Sequence, residues 1–543
     1  MSSSRCASGV AAAPRAAAPL APPPRAASVP GARVRRASVA RRAAVSRSAA
    51  APDAGGEGAP LASSSSSPSP SSCTPAMVRV LRGERLSVPP VWAMRQAGRY
   101  MSSYRELSRR YPRFRDRSEI PELAAEISLQ PWEAFRPDGV ILFADILTLL
   151  TGLGVDWDVE KGVGPVVKTP VRTRADLNAI LDNNPDVLGP ETLETRLGFL
   201  RPALREIRER VMEGGGGAPP GAAGGGVHWT GGGGAPLGVA GGGANGTGGG
   251  APPATGAARP AILGFAGAPF TLATYLIAGG KGAMRSPAFG RLLFGGPEER
   301  ALFRDVLALL ERATVRYALH QAACGADAIQ LFDTWAGALG PADFAAWARP
   351  SLERVLAGIR AARPDLPVIL FVAAPGGVLR DLATLPCDCI SVSHTVTLTD
   401  AWTCIQNAKR KGKKHDDDDG GADRDARAWS AAASGAATAP ARSPSPSGAA
   451  TAPARSPSPS GAAIAPARSP SASGALLFPR SLQGNVDPFA LMGSREGVRE
   501  RVRAARREIA ALGAPAVLNL GHGIMQGTPE DNVRAFFEAA REA

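Results

Sequence analysis

Eight short apolar runs punctuate the chain, and longer segments of helical periodicity separate them. The runs are Val91–Met94, Val140–Phe143, Ala261–Phe265, Ala328–Phe332, Val368–Val372, Cys389–Ser393, Ser481–Gln483 and Val517–Leu520. Their length and content predict strands. Between them, segments such as Glu119–Phe135, Pro297–Cys324, Phe344–Ala362 and Gly497–Leu512 carry apolar residues at helical spacing. Strands alternating with helices pair in parallel, and eight of them close on themselves. The predicted fold class is therefore α/β, a (β/α)8 TIM barrel in a single domain. An open doubly wound sheet would carry a Gly-rich dinucleotide loop after an early strand, and none is present.

Three stretches fall outside this pattern. Residues 1–75 form a low-complexity leader, with nine arginines and no acidic residue before position 51. That is the composition of an organellar transit peptide, without the apolar core of a secretory signal. It predicts import into the chloroplast stroma, with the mitochondrion as the alternative. Residues 213–259 are dominated by Gly, Ala and Pro, and residues 409–474 open on a charge run and then repeat a unit centred on Arg442, Arg455 and Arg468. Such segments cannot bury a core and are expected to be disordered insertions. About 350 residues remain for the barrel, an ordinary size with long loops.

Charge and cysteine content narrow the function classes. The leader's nine arginines against Asp53 and Glu57 carry half of the formal net charge of +14. The remainder is only mildly basic, and no basic patch interleaved with aromatics appears, so nucleic acid is not an expected partner. No stretch approaches the ~20 apolar residues of a membrane span. Cys387-Asp-Cys389 lacks a second metal-spaced pair. Buried thiols in a reducing compartment are the expected reading, with no metal.

Candidate chemistry gathers just past the C-terminal ends of the predicted strands, the face on which such barrels build active sites. There lie Arg95 and Arg99, Asp145, Asp333-Thr334, Gly376-Gly377, His394, Asn485 with Asp487, and His522. In Val91-Trp-Ala-Met-Arg-Gln-Ala-Gly-Arg-Tyr100 two guanidiniums, each able to grip a carboxylate through paired hydrogen bonds, bracket Gly98. The glycine can supply a positive φ or a close backbone approach. Taken alone, this stretch also fits a strand-to-helix turn with surface arginines. Asp145 also fits a helix cap, and Tyr275 and His522 also fit satisfied core polar groups.

The combination of motifs resembles the uroporphyrinogen decarboxylase family, most closely its plastid members. The matching stretches are Pro-Pro-Val-Trp-Ala-Met-Arg-Gln-Ala-Gly-Arg-Tyr (89–100), Arg-Ser-Glu (117–119), Glu-Ile-Ser-Leu-Gln-Pro-Trp (126–132) and Phe-Ala-Asp-Ile-Leu-Thr (143–148). They continue with Gly-Phe-Ala-Gly-Ala-Pro-Phe-Thr-Leu-Ala-Thr-Tyr (264–275), Gln-Leu-Phe-Asp-Thr-Trp-Ala-Gly (330–337), Leu-Gln-Gly-Asn-Val-Asp-Pro (482–488) and Leu-Asn-Leu-Gly-His-Gly-Ile (518–524).

The resemblance implies a homodimeric barrel without metal or organic cofactor. It implies the conversion of uroporphyrinogen III to coproporphyrinogen III by loss of four acetate carboxyls as CO2, in haem and chlorophyll biosynthesis. It makes Asp145 and Arg95 the catalytic candidates. Arg95, Gln96, Ala97, Gly98, Arg99, Asp145, Tyr275, Thr334 and His522 become the substrate-binding set. A pyrrole acetate cannot simply expel CO2, because the electrons left behind need a sink. Protonating the ring supplies one as a cation, which a carboxylate such as Asp145 stabilises.

Two departures stand out. Ser393-His394 occupies a position where the family carries Asp-Trp, and Ala373-Ala374-Pro375 replaces a Ser- and Gly-rich stretch; Leu149–Gly152 also differs from the usual loop. A catalytically weakened tetrapyrrole-binding paralogue is therefore one alternative. A barrel methyltransferase of the related corrinoid and thiol group is another.

Overall fold

The computed structural model describes residues 74–160, 162–214, 259–280, 283–418 and 478–542. After β1 (Gly139–Ile141), a short antiparallel hairpin of β2 (Trp157–Glu160) and β3 (Gly164–Val167) stands apart. β4 (Ala261–Gly267), β5 (Ala328–Asp333), β6 (Val368–Val372), β7 (Cys389–Ser391), β8 (Ser481–Val486) and β9 (Ala516–Leu520) then join β1 in one seven-stranded parallel sheet. Its order is β1-β4-β5-β6-β7-β8-β9. Val91 fills the eighth place. It bridges Leu518 of β9 in parallel, and its carbonyl accepts the Asp138 N–H at 2.7 Å beside β1. The predicted strand Val91–Met94 thus shrinks to a bridge, because the Met94 N–H turns instead to the Asn519 side chain at 2.9 Å.

One device recurs at the N-terminal ends of alternate strands. Asp138, Asp327 and Asp388 immediately precede β1, β5 and β7. Each carboxylate accepts a backbone N–H from the preceding strand: Val91 at 2.7 Å, Ile262 at 2.8 Å and Val368 at 2.9 Å. Each backbone N–H returns a bond to the same residue's carbonyl. The sequences Asp-Gly-Val, Asp-Ala-Ile and Asp-Cys-Ile are therefore one repeated staple. This explains the Cys-Asp-Cys triplet: Asp388 makes the staple, while the thiols of Cys387 and Cys389 are buried, which pushes both up, Cys389 to about 12.

The lumen is filled in layers, as in other barrels of this class. At the bottom, the helix Ala76–Leu81 inserts Met77 and Leu81 among Trp92, Leu263, Ile369 and Val517. Above them lies a polar layer. The Trp92 indole donates to Gln483 Oε1 at 2.9 Å, and Gln483 Nε2 donates to Gln330 Oε1 at 3.1 Å and Ser391 Oγ at 2.9 Å. Above that, Phe265, Phe332 and Phe371 meet edge to face, with ring centroids 5.7 and 5.9 Å apart. Their aromatic contact continues to His522, at 5.9 Å from Phe371. The phenylalanines form the floor on which the C-terminal face opens.

The predicted helices appear as Pro121–Phe135, Pro297–Ala323, Arg349–Ala362 (preceded by a π turn from Phe344) and Arg495–Leu512. Two differences are informative. The β2–β3 hairpin went unpredicted, since Trp-Asp-Val-Glu is too short to show a period. Helix Leu398–Asp418 runs on through Lys409, where the second insertion was expected to begin. Lysine and arginine are good helix formers, and no proline interrupts the run. Lys409 also folds back over the Trp402 ring, 5.4 Å from its centroid. Apart from such edges, the leader and both insertions lie outside the described residues. Among the described residues no helix is long and apolar enough to cross a membrane.

Candidate active site

The loop after Val91 is stitched to both neighbouring strands. Beyond the Met94–Asn519 bond, the Ile524 N–H donates to the Met94 carbonyl at 2.9 Å. Gln96 is fully buried; its amide donates to the Gly139 carbonyl at 2.9 Å, and its own carbonyl accepts the Tyr100 hydroxyl at 2.6 Å. Gln96 therefore frames the loop and does not present its side chain to a ligand, and half-buried Ala97 packs against the core. The left-handed residue of the loop is Arg95, at φ 58°, and not Gly98. A non-glycine residue there is held in a costly conformation by its surroundings. A Cβ added to Gly98 would meet only ordinary contacts, the nearest at 3.8 Å.

Arg95 and Arg99 are both exposed, and neither forms an ion pair with a described residue. Arg99 reaches Gln526 at 3.1 Å. Arg95 lies along Gly523, where an added Cβ would fall 2.4 Å from Arg95 Cδ. These are two cations with their donors left largely open.

Asp145 follows β1 at the start of the short helix Thr148–Gly152. Its Oδ1 accepts the Leu147 N–H at 2.9 Å, while its own N–H donates to Thr148 Oγ1 at 3.2 Å. Oδ1 is thus spent on an Asx-type turn ahead of the helix, whereas Oδ2 bonds no described residue. Burial pushes this carboxyl above the usual range, and the Leu147 N–H and the Arg95 charge hold it back.

Tyr275 lies half-buried on helix Pro269–Ala278, beyond β4. Its phenol is raised by burial, lowered by the nearby Trp335 indole and by Arg95, and raised by Asp145. The indole N–H itself stays outside hydrogen-bonding geometry, so it acts as a neighbour and not as a bonded partner. His522, half-buried beyond β9, is lowered by burial, then by Arg95 and by His394. Arg95, Asp145, Tyr275 and His522, from four separate strand ends, therefore share one electrostatic environment. Thr334 is half-exposed at the end of β5. Of the departures, Ser393 is buried, its hydroxyl accepting from Thr395 Oγ1 at 3.3 Å. His394 is exposed, with its backbone N only 2.2 Å from where a Gly521 Cβ would stand.

Sequence placed Asp333 at a strand end without a role and gave no sign of the phenylalanine floor; Asp333 is fully buried beside Thr334. Alternation along β5 carried the signal. Ala328, Gln330 and Phe332 point into the lumen, so Asp333 must point away from it, toward the helices.

The family model for uroporphyrinogen decarboxylase (URO-D) matches residues 74–246, 256–414 and 467–543. The uroporphyrinogen decarboxylase of Nostoc punctiforme is 33% identical over 472 residues, covering 87% of this chain and 97% of its own length. That of Synechocystis is 32% identical over 468 residues, covering 86% and 97%. Among solved structures, a methyltransferase from Methanosarcina mazei shares the fold, with TM-score 0.52, 17% identity and coverage of 86% of this chain and 97% of its own.

Proposed function

The chain belongs to the uroporphyrinogen decarboxylase family, and on that premise we propose that Asp145 and Arg95 carry its chemistry from opposite sides of the charge balance. The enzyme is a carboxy-lyase that converts uroporphyrinogen to coproporphyrinogen, taking up one proton for each CO2 released. A proton added to the pyrrole carbon next to the one bearing the acetate leaves a cation shared with the ring nitrogen. The acetate C–C bond then breaks, its electrons form an exocyclic double bond, and CO2 departs. Reprotonation of that methylene and loss of the ring proton give the methyl product.

Asp145 accepts the pyrrole N–H through its open Oδ2 and opposes the developing cation in a partly desolvated setting, where such a charge acts strongly. Arg95 and Arg99 hold substrate carboxylates, and the hydroxyls of Tyr275 and Thr334 position the ring and its side chains. His522 adds a neutral donor. The observation that carries this reading is the pairing in one opening of a carboxylate with a free oxygen and an arginine without an ion pair. Its test is anaerobic CO2 release by wild type and Asp145→Asn. A folded variant with undiminished release would sink the assignment.

Residues 1–75 act as a plastid transit peptide in this reading, which the arginine-rich, acid-free composition and the relatives' cyanobacterial sources support. A fluorescent fusion of this segment should enter plastids; entry into mitochondria would favour the alternative. A homodimer is supported by Phe489 and Met492, which stand 64% and 43% exposed just beyond β8. Sedimentation would distinguish it from a monomer.

A further inference from the structure

Asp333 has no assigned role, yet it is wholly buried without a cation. Its Oδ1 accepts two bonds from one residue, the Thr271 hydroxyl at 2.7 Å and the Thr271 N–H at 3.2 Å. Thr271, also fully buried, lies in the first turn of helix Pro269–Ala278. Its Oγ1 in turn accepts the Trp335 N–H at 3.0 Å. Residues 333 and 335 are thus both tied to Thr271, and Thr334 is the link between the two ties. Tyr275 lies one helical turn beyond Thr271, on the same face, with its ring 6.5 Å from that of Trp335.

We propose that Asp333 is a positioning residue, which through Thr271 fixes the Tyr275 and Thr334 hydroxyls relative to one another across the opening. The proposal rests on the reading above of those two hydroxyls as substrate contacts. A plain helix cap needs only an acceptor, which serine or asparagine provides at less desolvation cost. Here a full carboxylate is buried, and its Oδ2 has no partner. Both bonds fall on Oδ1, and the charge of the carboxylate makes them stronger than a neutral carbonyl would, which suits a joint that must be held firmly. The groups bearing on its ionisation are its own burial, which raises it to about 7, and the two Thr271 donors, which lower it. No charged side chain of the flanking β4 and β6 or of the helix is among them. The clamp is therefore fully formed above neutrality and weakens as the carboxyl gains its proton.

The test compares wild type with Asp333→Ala, Asp333→Asn, Thr271→Val, Tyr275→Phe and Thr334→Val, and the pairs of Asp333→Ala with each hydroxyl variant. Steady-state decarboxylation of uroporphyrinogen under anaerobic conditions is followed from pH 6 to 8.5, with melting curves to establish folding. Asp333→Ala and Thr271→Val should raise KM roughly tenfold, with a smaller change in kcat. Asp333→Asn should fall between them and wild type and lose the rise of KM toward acid pH. In the pairs, Asp333→Ala should add little to Tyr275→Phe or Thr334→Val, because both act on the same contacts. Multiplicative effects, or a folded Thr271→Val with wild-type KM, would overturn the clamp alone. Silence of both hydroxyl variants would instead overturn the reading of the site, and with it the premise of the proposal.

Discussion

The backbone N–H of Gly523 donates to Nδ1 of His522 at 2.8 Å. That bond makes Nδ1 the acceptor and leaves the proton of the neutral ring on Nε2. Burial and the nearby Arg95 both favour this neutral form. In the proposed reading, His522 would offer a substrate carboxylate or ring one N–H without adding a charge. Glutamine places an amide near the Nε2 position, whereas asparagine places it near Nδ1. His522→Gln should accordingly keep roughly tenfold more kcat/KM than His522→Asn. Equal losses in the two variants would show that the tautomer does not matter.

Gly523 has a second duty, which is to leave room for Arg95. Alanine there would set a methyl 2.4 Å from Arg95 Cδ and 3.0 Å from Nε, so the guanidinium must move. Gly523→Ala should raise KM several-fold with little loss of thermal stability, because the displaced side chain is exposed. Steady-state kinetics and a melting curve on the same preparation test both halves.

If Asp145 works as the anion, activity should fall on the acid side as it takes up a proton. Because burial raises this carboxyl, the acid limb of kcat/KM should lie above the range of a solvated carboxylate, roughly pH 4. Arg95→Gln removes a charge that holds the carboxyl down and should move the limb to still higher pH. A pH–rate profile of both proteins decides the point; a limb unmoved in Arg95→Gln would separate the two groups.

Asp333 gives the fold itself a pH dependence. Its folded value of about 7 lies above that of an unfolded aspartate, so between the two the unfolded chain binds fewer protons. The cost of burying its charge is absent at low pH, grows as pH rises toward 7 and is constant beyond, even though the ionised carboxyl holds Thr271 more tightly. Melting temperature should decline over that window more in wild type than in Asp333→Asn. Parallel curves for the two proteins would remove Asp333 as the cause.

Ser393 and His394 present a narrower question. Ser393 is enclosed, whereas exposed His394 belongs to the electrostatic surroundings of His522. If this pair limits the rate, changing Ser393→Asp together with His394→Trp should raise turnover in the CO2-release assay. Unchanged or lowered turnover would show that the enzyme is adapted to them.

Much of this was legible in the chain because strands buried on both faces are apolar whatever surrounds them. All eight runs found their places around the ring. The first was the weakest, since pairing to Leu518 is a tertiary matter that the residues of Val91–Met94 do not encode. Arg95, Asp145 and His522 could be named from sequence because they follow predicted strand ends, whereas Tyr275, inside the helix Pro269–Ala278, was named only through the family motif that holds it. What sequence could not supply was direction. Nothing in Arg-Gln-Ala-Gly-Arg shows that the glutamine turns inward or that arginine, not glycine, takes the left-handed backbone. The same holds for the staples: three Asp-x-[Val/Ile] triplets read as unrelated until their N–H partners are known.

Among the described residues the layered plug beneath Phe265, Phe332 and Phe371 fills the N-terminal end of the barrel and leaves the C-terminal face as its open end. If the two arginines hold the substrate, then substrate, CO2 and product all pass their fixed charge at that end. Neutral CO2 slips past them freely. The tetrapyrrole would be retained by its negative charges, and each decarboxylation removes one of them. Eight carboxylates become seven, then six, five and four, and the grip slackens at each step. On this view the enzyme needs no separate signal that its work is complete: the count is kept by the declining charge of the molecule it holds.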